Sequence, residues 1–97
     1  MIGDVQNDTP RYAMTLFVMG ASRLSLQAVS RVKEFCEEEL AGHYDLEVID
    51  LYRMPERAKL AKVIAAPTLL RDKPNPVRRV TGDMSDRARL RAVIKAA

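Results

Sequence analysis

The sequence predicts an α/β domain with the element order β-α-β-α-β-β-α. Three features carry that expectation. Two stretches, "YAMTLFVM" (12–19) and "YDLEVIDLY" (44–52), are apolar or β-branched on both faces, as buried strands are. Each is followed by residues whose apolar positions recur at helical spacing. Beyond them, "AAPTLLRDKPNPVRR" (65–79) sets three prolines among short apolar runs. Proline has a fixed φ and no N–H, so it belongs at corners and turns rather than inside a central strand.

Residues 1–11 hold Asn, Asp, Thr and Pro without periodicity and read as a flexible leader, leaving 12–97 as a single domain. Gly20 ends the first strand. From about Arg23 to Ala41, the positions Leu24, Ala28, Val32 and Phe35, with Val29, Cys36 and Leu40, follow a helix, and Gly42 supplies its stop. Ser22 or Ser25 is placed to cap its start. In "MPERAKLAKVIAA" (54–66), Pro55 suits a first helical turn, Leu60, Ala61 and Ile64 share a face, and Ala66-Pro67 breaks the helix. "TLLR" (68–71) reads as a short strand, "DKPNP" (72–76) as a turn, and "VRRVTG" (77–82) as a strand whose adjacent arginines suit a sheet edge. Last, "GDMSDRARLRAVIKAA" (82–97) offers Asp83 as N-cap, Asp86 three residues on, and a stripe of Leu90, Val93, Ile94 and Ala97. Strands joined by a long helix form a right-handed parallel crossover, and strands joined by a short turn pair antiparallel. With a proline just before its third strand, this string is the thioredoxin layout.

Composition narrows the function. At 47% hydrophobic and 30% charged, the chain has the balance of a folded soluble protein. No apolar run approaches the ~20 residues of a membrane span, and the polar, acidic opening is unlike a secretory signal, so the chain reads as cytoplasmic. Residues 1–50 carry 4 Lys+Arg and 9 Asp+Glu, a net −5, whereas residues 51–97 carry 12 and 4, a net +8. That asymmetry suits acidic partners, nucleic acid, or one half resting on the other. Arg87, Arg91 and Lys95 form a basic stripe, but five aromatics and no RNA-recognition or helix-turn-helix pattern leave base readout with little support. Nucleic acid is therefore not the expected partner.

Catalytic chemistry finds few candidates. The loop into the first helix, where thioredoxins keep their active thiols, is "GASRLS", and the only cysteine, Cys36, lies inside the helix as a small apolar residue. A glutathione-type small-thiol site would cast Ser22 and "APT" (66–68) as its contacts, but "DKPNPVRR" stands where that class keeps an acidic-serine pair. His43 is the only histidine, no phosphate-binding glycine motif is present, and "EEE" (37–39) reads as solvated helix surface. No enzyme activity and no cofactor are expected.

Several stretches resemble the circadian clock family KaiB. They are "VIDL" (48–51) with Pro55 five residues after Asp50, "APTL" (66–69), the first strand and loop "LFVMGAS" (16–22), and above all "PVRRVTGDMSDR" (76–87). The resemblance implies a non-enzymatic regulator that binds the ATPase ring of KaiC, in complexes that sequester KaiA and favour KaiC dephosphorylation. It also implies two folds for one chain: a ground state, commonly a tetramer, of order β-α-β-β-α-α-β, and a thioredoxin-like monomer that binds KaiC. The rearranging half makes Pro67, Pro74, Pro76, Gly82 and Asp83 the expected hinge, and Arg57, Lys59 and Lys62 the expected partner contacts. The chain departs from the family where clock members have a GNTPNS-type loop, and where "AKLAK" (58–62) replaces a pattern like A-E-E-D-K. It therefore reads as a divergent or paralogous member in which KaiA capture is not expected.

Between the two folds, residues 83–97 favour the thioredoxin-like one, because good helix formers follow a cap and align one apolar stripe. A cis bond is expected at Ala66-Pro67 in that form, with Lys73-Pro74 and Asn75-Pro76 as further isomer-dependent joints. X-Pro bonds exchange on the order of tens to hundreds of seconds, which would make the conversion slow.

Overall fold

Residues 11–96 are described by a computed structural model, and its elements follow the expected order. They are β1 (Tyr12–Val18), α1 (Arg23–Glu39), β2 (Tyr44–Asp50), α2 (Pro55–Leu60), β3 (Thr68–Lys73), β4 (Arg78–Thr81) and α3 (Arg87–Ile94). The expected leader, apart from Arg11, and Ala97 of the C-terminal stripe lie outside the described residues.

One four-stranded sheet runs β2-β1-β3-β4, with β1 parallel to β2 and antiparallel to β3, and β4 antiparallel to β3. This is the thioredoxin-like arrangement. Central β1 is buried on both faces, as its composition requires. Met14, Leu16 and Val18 join the main core with Val32, Phe35, Leu69, Leu90 and Ile94, while Phe17 points into a smaller cluster with Ile49, Ala58, Val63 and Leu70. The β1–β3 register skips Asp72, whose carboxylate accepts from Thr15 Oγ1 at 2.8 Å.

The expectation of a buried second strand is corrected. β2 occupies a sheet edge with β1 as its one neighbour, Ile49 is its buried residue, and Val48 is exposed. An apolar run alone does not reveal that a strand lacks a second partner. β4, by contrast, lies at the edge its arginines suggest. The Ala66-Pro67 peptide bond is cis, as expected, and so are Lys73-Pro74 and Asn75-Pro76.

α1 begins at Ser22, whose Oγ accepts from Ser25 N–H at 3.2 Å, and it buries Ala28, Val32, Phe35 and Cys36 completely. Beyond its end, Gly42 takes φ +75°, the left-handed conformation that favours glycine.

α2 is much shorter than the expected 54–66. It stops at Leu60 in a Schellman motif: Val63 N–H bonds Ala58 C=O at 2.9 Å and Lys62 N–H bonds Lys59 C=O at 3.1 Å. Lys62 occupies the left-handed position, φ +56°, usually given to glycine, and the motif's apolar contact is Val63 against Ala58. Burying Val63 against Phe17 and Leu70 overrides the local preference to continue the helix. Lys62→Gly is therefore expected to stabilise this arrangement by about 1 kcal/mol, read as a shifted urea midpoint with an unchanged slope.

The cap of α3 is also corrected. Asp86, not Asp83, is the N-cap, accepting from Arg89 N–H at 3.0 Å. The Asp83 carboxylate is engaged in a local turn with Ser85, taking the backbone N–H at 3.0 Å and the hydroxyl at 2.6 Å. Asp86→Ala is expected to cost about 1 kcal/mol in chemical denaturation.

The charge asymmetry is resolved in part within the molecule. Arg87 pairs with Glu38 at 2.6 Å, and Arg91 and Lys95 pair with Glu39 at 2.8 and 3.5 Å, so the basic stripe lies along the "EEE" edge of α1. Arg31 of α1 reaches the Asp83 carbonyl at 2.9 Å. The Arg87 guanidinium also sits 5.8 Å from the centre of the Phe35 ring.

Among the described residues, three carboxyls titrate below their ordinary values: Glu39 through its hydrogen bond from Arg91, Glu47 through that from Arg57, and Asp83 through that from Ser85. The folded state therefore holds fewer of these protons than the unfolded chain. The stability they add is present above the ordinary carboxylate pKa and lost as pH falls through the depressed folded values. Unfolding midpoints should decline as pH drops below about 4.5, the ordinary glutamate value, with a weaker decline in Glu39→Gln.

Candidate partner face and hinge region

The corner where thioredoxins place their chemistry is built here from β1, the start of α1, and Pro67. Its two serines are occupied by one another and by the backbone: Ser22 Oγ donates to Ser25 Oγ at 2.9 Å, while Met19 N–H bonds Ser25 Oγ at 3.0 Å. Ser25 Oγ also lies 3.1 Å from Met19 C=O. Asp50 Oδ1 accepts from Gly20 N–H at 3.0 Å and Tyr52 N–H at 2.9 Å, tying the loop to the end of β2. Above this network lies an apolar groove of about 510 Å³ walled by Met19, Leu24, Tyr52, Ala66 and Pro67. No titratable acid, base or thiol lines it, apart from the Tyr52 phenol. Cys36 is buried in the core, and desolvation, reinforced by Glu37, pushes its thiol up to about 12. The corner's polar groups are consumed in holding its own shape.

The connection from β2 through α2 to β3 has a different character. Its inner side supplies Ala58 and Val63 to the smaller core, with the half-buried Leu51 and Ala61 packed against them, and its outer side displays Tyr52 at 70%, Leu60 at 83% and Ile64 at 99% exposure. The expected contacts Arg57, Lys59 and Lys62 all lie here, in unlike states. Arg57 is held by Glu47 of β2 through hydrogen bonds of 2.8 and 3.2 Å. Lys59 is exposed in the last turn of α2, and Lys62 is exposed in the cap. The Arg79 guanidinium of β4 donates to Ala61 C=O at 2.8 Å and Lys62 C=O at 3.0 Å, securing the end of α2.

The expected hinge residues divide between the two ends of the β3–β4 hairpin. Pro67 C=O accepts from Gly82 N–H at 3.0 Å, placing Pro67, Gly82 and Asp83 at one end, while Pro74 and Pro76 lie in the turn at the other. Gly82 takes φ +135°, which L side chains rarely adopt.

Sequence reasoning missed Arg71. Read as the end of a short strand, it is in fact fully buried, 0% exposed, inside β3. Its NH1 donates to Ile94 C=O at 2.8 Å and Ala96 C=O at 2.5 Å, and its NH2 to Pro76 C=O at 2.8 Å. Nε finds no hydrogen-bond partner among the described residues. A buried guanidinium thus meets the negative end of α3 and clamps the helix to the hairpin turn. The available signal is its period: two residues after Leu69, Arg71 shares the core-facing side of its strand.

A family model described as the KaiB domain matches residues 15–96. The chain belongs to the KaiB family. Relatives of the KaiB chain include circadian clock protein KaiB3 of Synechocystis sp., 37% identical over 79 residues that cover 81% of this chain and 78% of that protein. Circadian clock oscillator protein KaiB of Prochlorococcus marinus subsp. pastoris is 42% identical, covering 81% and 74%. Among solved structures, the N-terminal domain of Synechococcus elongatus SasA aligns with a TM-score of 0.72 at 23% identity, covering 87% of this chain and 82% of that one. Mitochondrial thioredoxin 3 of Saccharomyces cerevisiae aligns with a TM-score of 0.73 at 14% identity, covering 98% and 87%. These two likenesses establish the thioredoxin-like fold of this KaiB-family chain and nothing further. Among the described residues, no helix is long and apolar enough to cross a membrane, and no cluster of His, Cys, Asp and Glu is placed to hold a metal ion.

Proposed function

We propose that this KaiB-family chain is a non-enzymatic clock regulator that binds the ATPase ring of a KaiC-type protein and modulates its phosphorylation or ATPase state. The observation that carries the reading is the family match across residues 15–96, with circadian clock proteins as its relatives. The chemistry of the corner supports it, since the hydroxyls and carboxylate there are engaged in the loop itself and the thiol is buried. The thioredoxin-like arrangement is the binding form, and the β2–α2–β3 connection is the contact face. The other state is the family's alternative fold, β-α-β-β-α-α-β, in which a tetramer is the expected assembly, and the hairpin bounded by Pro67, Pro74, Pro76, Gly82 and Asp83 is the segment that rearranges. Two states coexist only if they lie within a few kcal/mol of one another. KaiA capture is left out of this role because residues 58–62 depart from the clock pattern.

The test is to mix the purified chain with the KaiC-type hexamer of the same genome, with and without nucleotide. Co-elution in gel filtration and an altered ATPase or phosphorylation rate are the expected results. Absence of both under every nucleotide condition would refute the role. The groove beside Pro67 favours one second reading, a small-thiol binding protein, which requires glutathione to saturate the chain and shift the resonances of Ala66 and Tyr52.

A further inference from the structure

Helix α3 is fastened to the rest of the molecule in three ways. Leu90 and Ile94 lie in the main core, and the buried Arg71 guanidinium holds the carbonyl of Ile94 at the end of the helix. The third attachment is ionic and comes from α1. Glu38 meets Arg87 at 2.6 Å, and Glu39 meets both Arg91, at 2.8 Å, and Lys95, at 3.5 Å. Just before the helix, Arg31 of α1 lies 3.9 Å from the Asp83 carboxylate and donates to the Asp83 carbonyl at 2.9 Å.

The spacing of these cations suits a helix and not a strand. Arg87, Arg91 and Lys95 stand four residues apart, and a helical rise compresses them into a span of about 12 Å. Extended, the same residues would spread over about 26 Å. Glu38 and Glu39 are neighbours in the chain, so their two carboxylates serve three cations because the helix draws the cations together. Glu39 is shared by Arg91 and Lys95 across a single turn. These pairs therefore favour residues 87–95 as a helix. They also stay open to the solvent: Arg91 and Lys95 are exposed, and a cleft of about 300 Å³, lined also by Arg11, Tyr12 and His43, reaches Glu39. Salt screens exposed charges strongly and buried contacts weakly, so ionic strength acts on this attachment and spares the other two.

We infer that Glu38 and Glu39 form an ionic latch that selects the helical, docked state of residues 87–95, so that the share of chains holding α3 in place falls as ionic strength rises. The inference rests on the two-state reading above for one point, that the released segment becomes a strand of the alternative fold. It gives α1, which lies outside the hairpin that rearranges, a part in setting the balance between the states.

The experiment follows backbone chemical shifts and amide exchange of the full chain at about 0.05 and 0.5 M sodium chloride, on either side of the ionic strength at which exposed pairs are screened. It compares the wild type with Glu38→Gln/Glu39→Gln and with the charge exchange Glu39→Arg/Arg91→Glu. One exposed pair changes an equilibrium roughly two- to fivefold, so neutralising both carboxylates is expected to speed exchange in α3 relative to α1 roughly five- to twentyfold at low salt. The difference should shrink at high salt, and the charge exchange should recover most of the protection. In the wild type, the same rise in salt is expected to speed α3 relative to α1 roughly two- to fivefold, a reading that needs no variant to fold. A wild type indifferent to salt, equal acceleration in α1 and α3, or a charge exchange that recovers nothing overturns the latch. Release of α3 with β-type shifts growing across residues 87–95 supports the latch and the two-state reading together. Release without them supports the latch and overturns the two-state reading.

Discussion

Replacing Arg71 with methionine is expected to destabilise the thioredoxin-like arrangement by about 2–4 kcal/mol, a large share of a small domain's stability. Methionine keeps the apolar stem but removes the donors to Ile94, Ala96 and Pro76. Three carbonyls at the end of α3 and in the hairpin turn then lose their partner, and unsatisfied buried acceptors cost more than a hydrogen bond is worth on average. Arg71→Lys is expected to recover only part of the loss, because one ammonium cannot span two separated sites in the planar geometry of a guanidinium. Urea unfolding measures the magnitude. Amide exchange in α3 measures its location: protection should fall first in residues 87–94, whereas a uniform fall across α1 and α3 would mean that Arg71 is merely a core residue.

Core truncations should separate the two halves of the chain. Phe35→Ala and Leu90→Ala remove side chains that are 0% and 1% exposed, and each is expected to cost about 2–5 kcal/mol. Their consequences differ if the second half rearranges and the first does not. Phe35 belongs to α1 and should destabilise whatever fold the chain adopts. Leu90 is buried only because α3 is a helix packed on the β1–β3 face, so Leu90→Ala should raise the population of the alternative fold, and Phe35→Ala should not. Gel filtration at fixed concentration reads this out as a larger species in Leu90→Ala. Identical elution of the two variants would count against rearrangement of the second half.

The element order is legible because β1 is a continuous apolar run, α1 keeps a clear helical period, and the prolines fall at corners. Ser22 is legible as a cap, since its hydroxyl meets a local N–H. The errors share one physical source: local pattern competes with contacts distant in sequence. "AKLAKVIAA" continues a helix by propensity, yet the helix ends at Leu60 because Val63 is needed in the core with Phe17 and Leu70. β2 reads as buried because its residues are apolar, but the sheet order leaves it a single neighbour. Asp83 reads as the cap and Asp86 as its partner three residues on, but Ser85 claims the first and Asp86 takes the Arg89 N–H. The basic stripe on α3 looks like a binding surface until α1 supplies its carboxylates. Arg71 is the largest omission: a charge normally argues for exposure, and only the meeting of β3 with the end of α3 creates carbonyls that accommodate it.

The proposed partner face is half legible. Lys59 and Lys62 stand out by residue type alone, whereas the pairing of Arg57 with Glu47 and the display of Leu60 and Ile64 depend on where α2 stops. The proposed hinge residues are legible as three prolines and the Gly82-Asp83 pair, but their division between the two ends of one hairpin follows from the β3–β4 register.

Backbone chemical shifts across residues 87–95 of the free protein test the central claim most directly. The thioredoxin-like arrangement, with α3 held by Asp86, the α1 carboxylates and Arg71, predicts helix-type values across that segment and a monomeric mass in the same sample. β-type values there, in a tetramer, would contradict it.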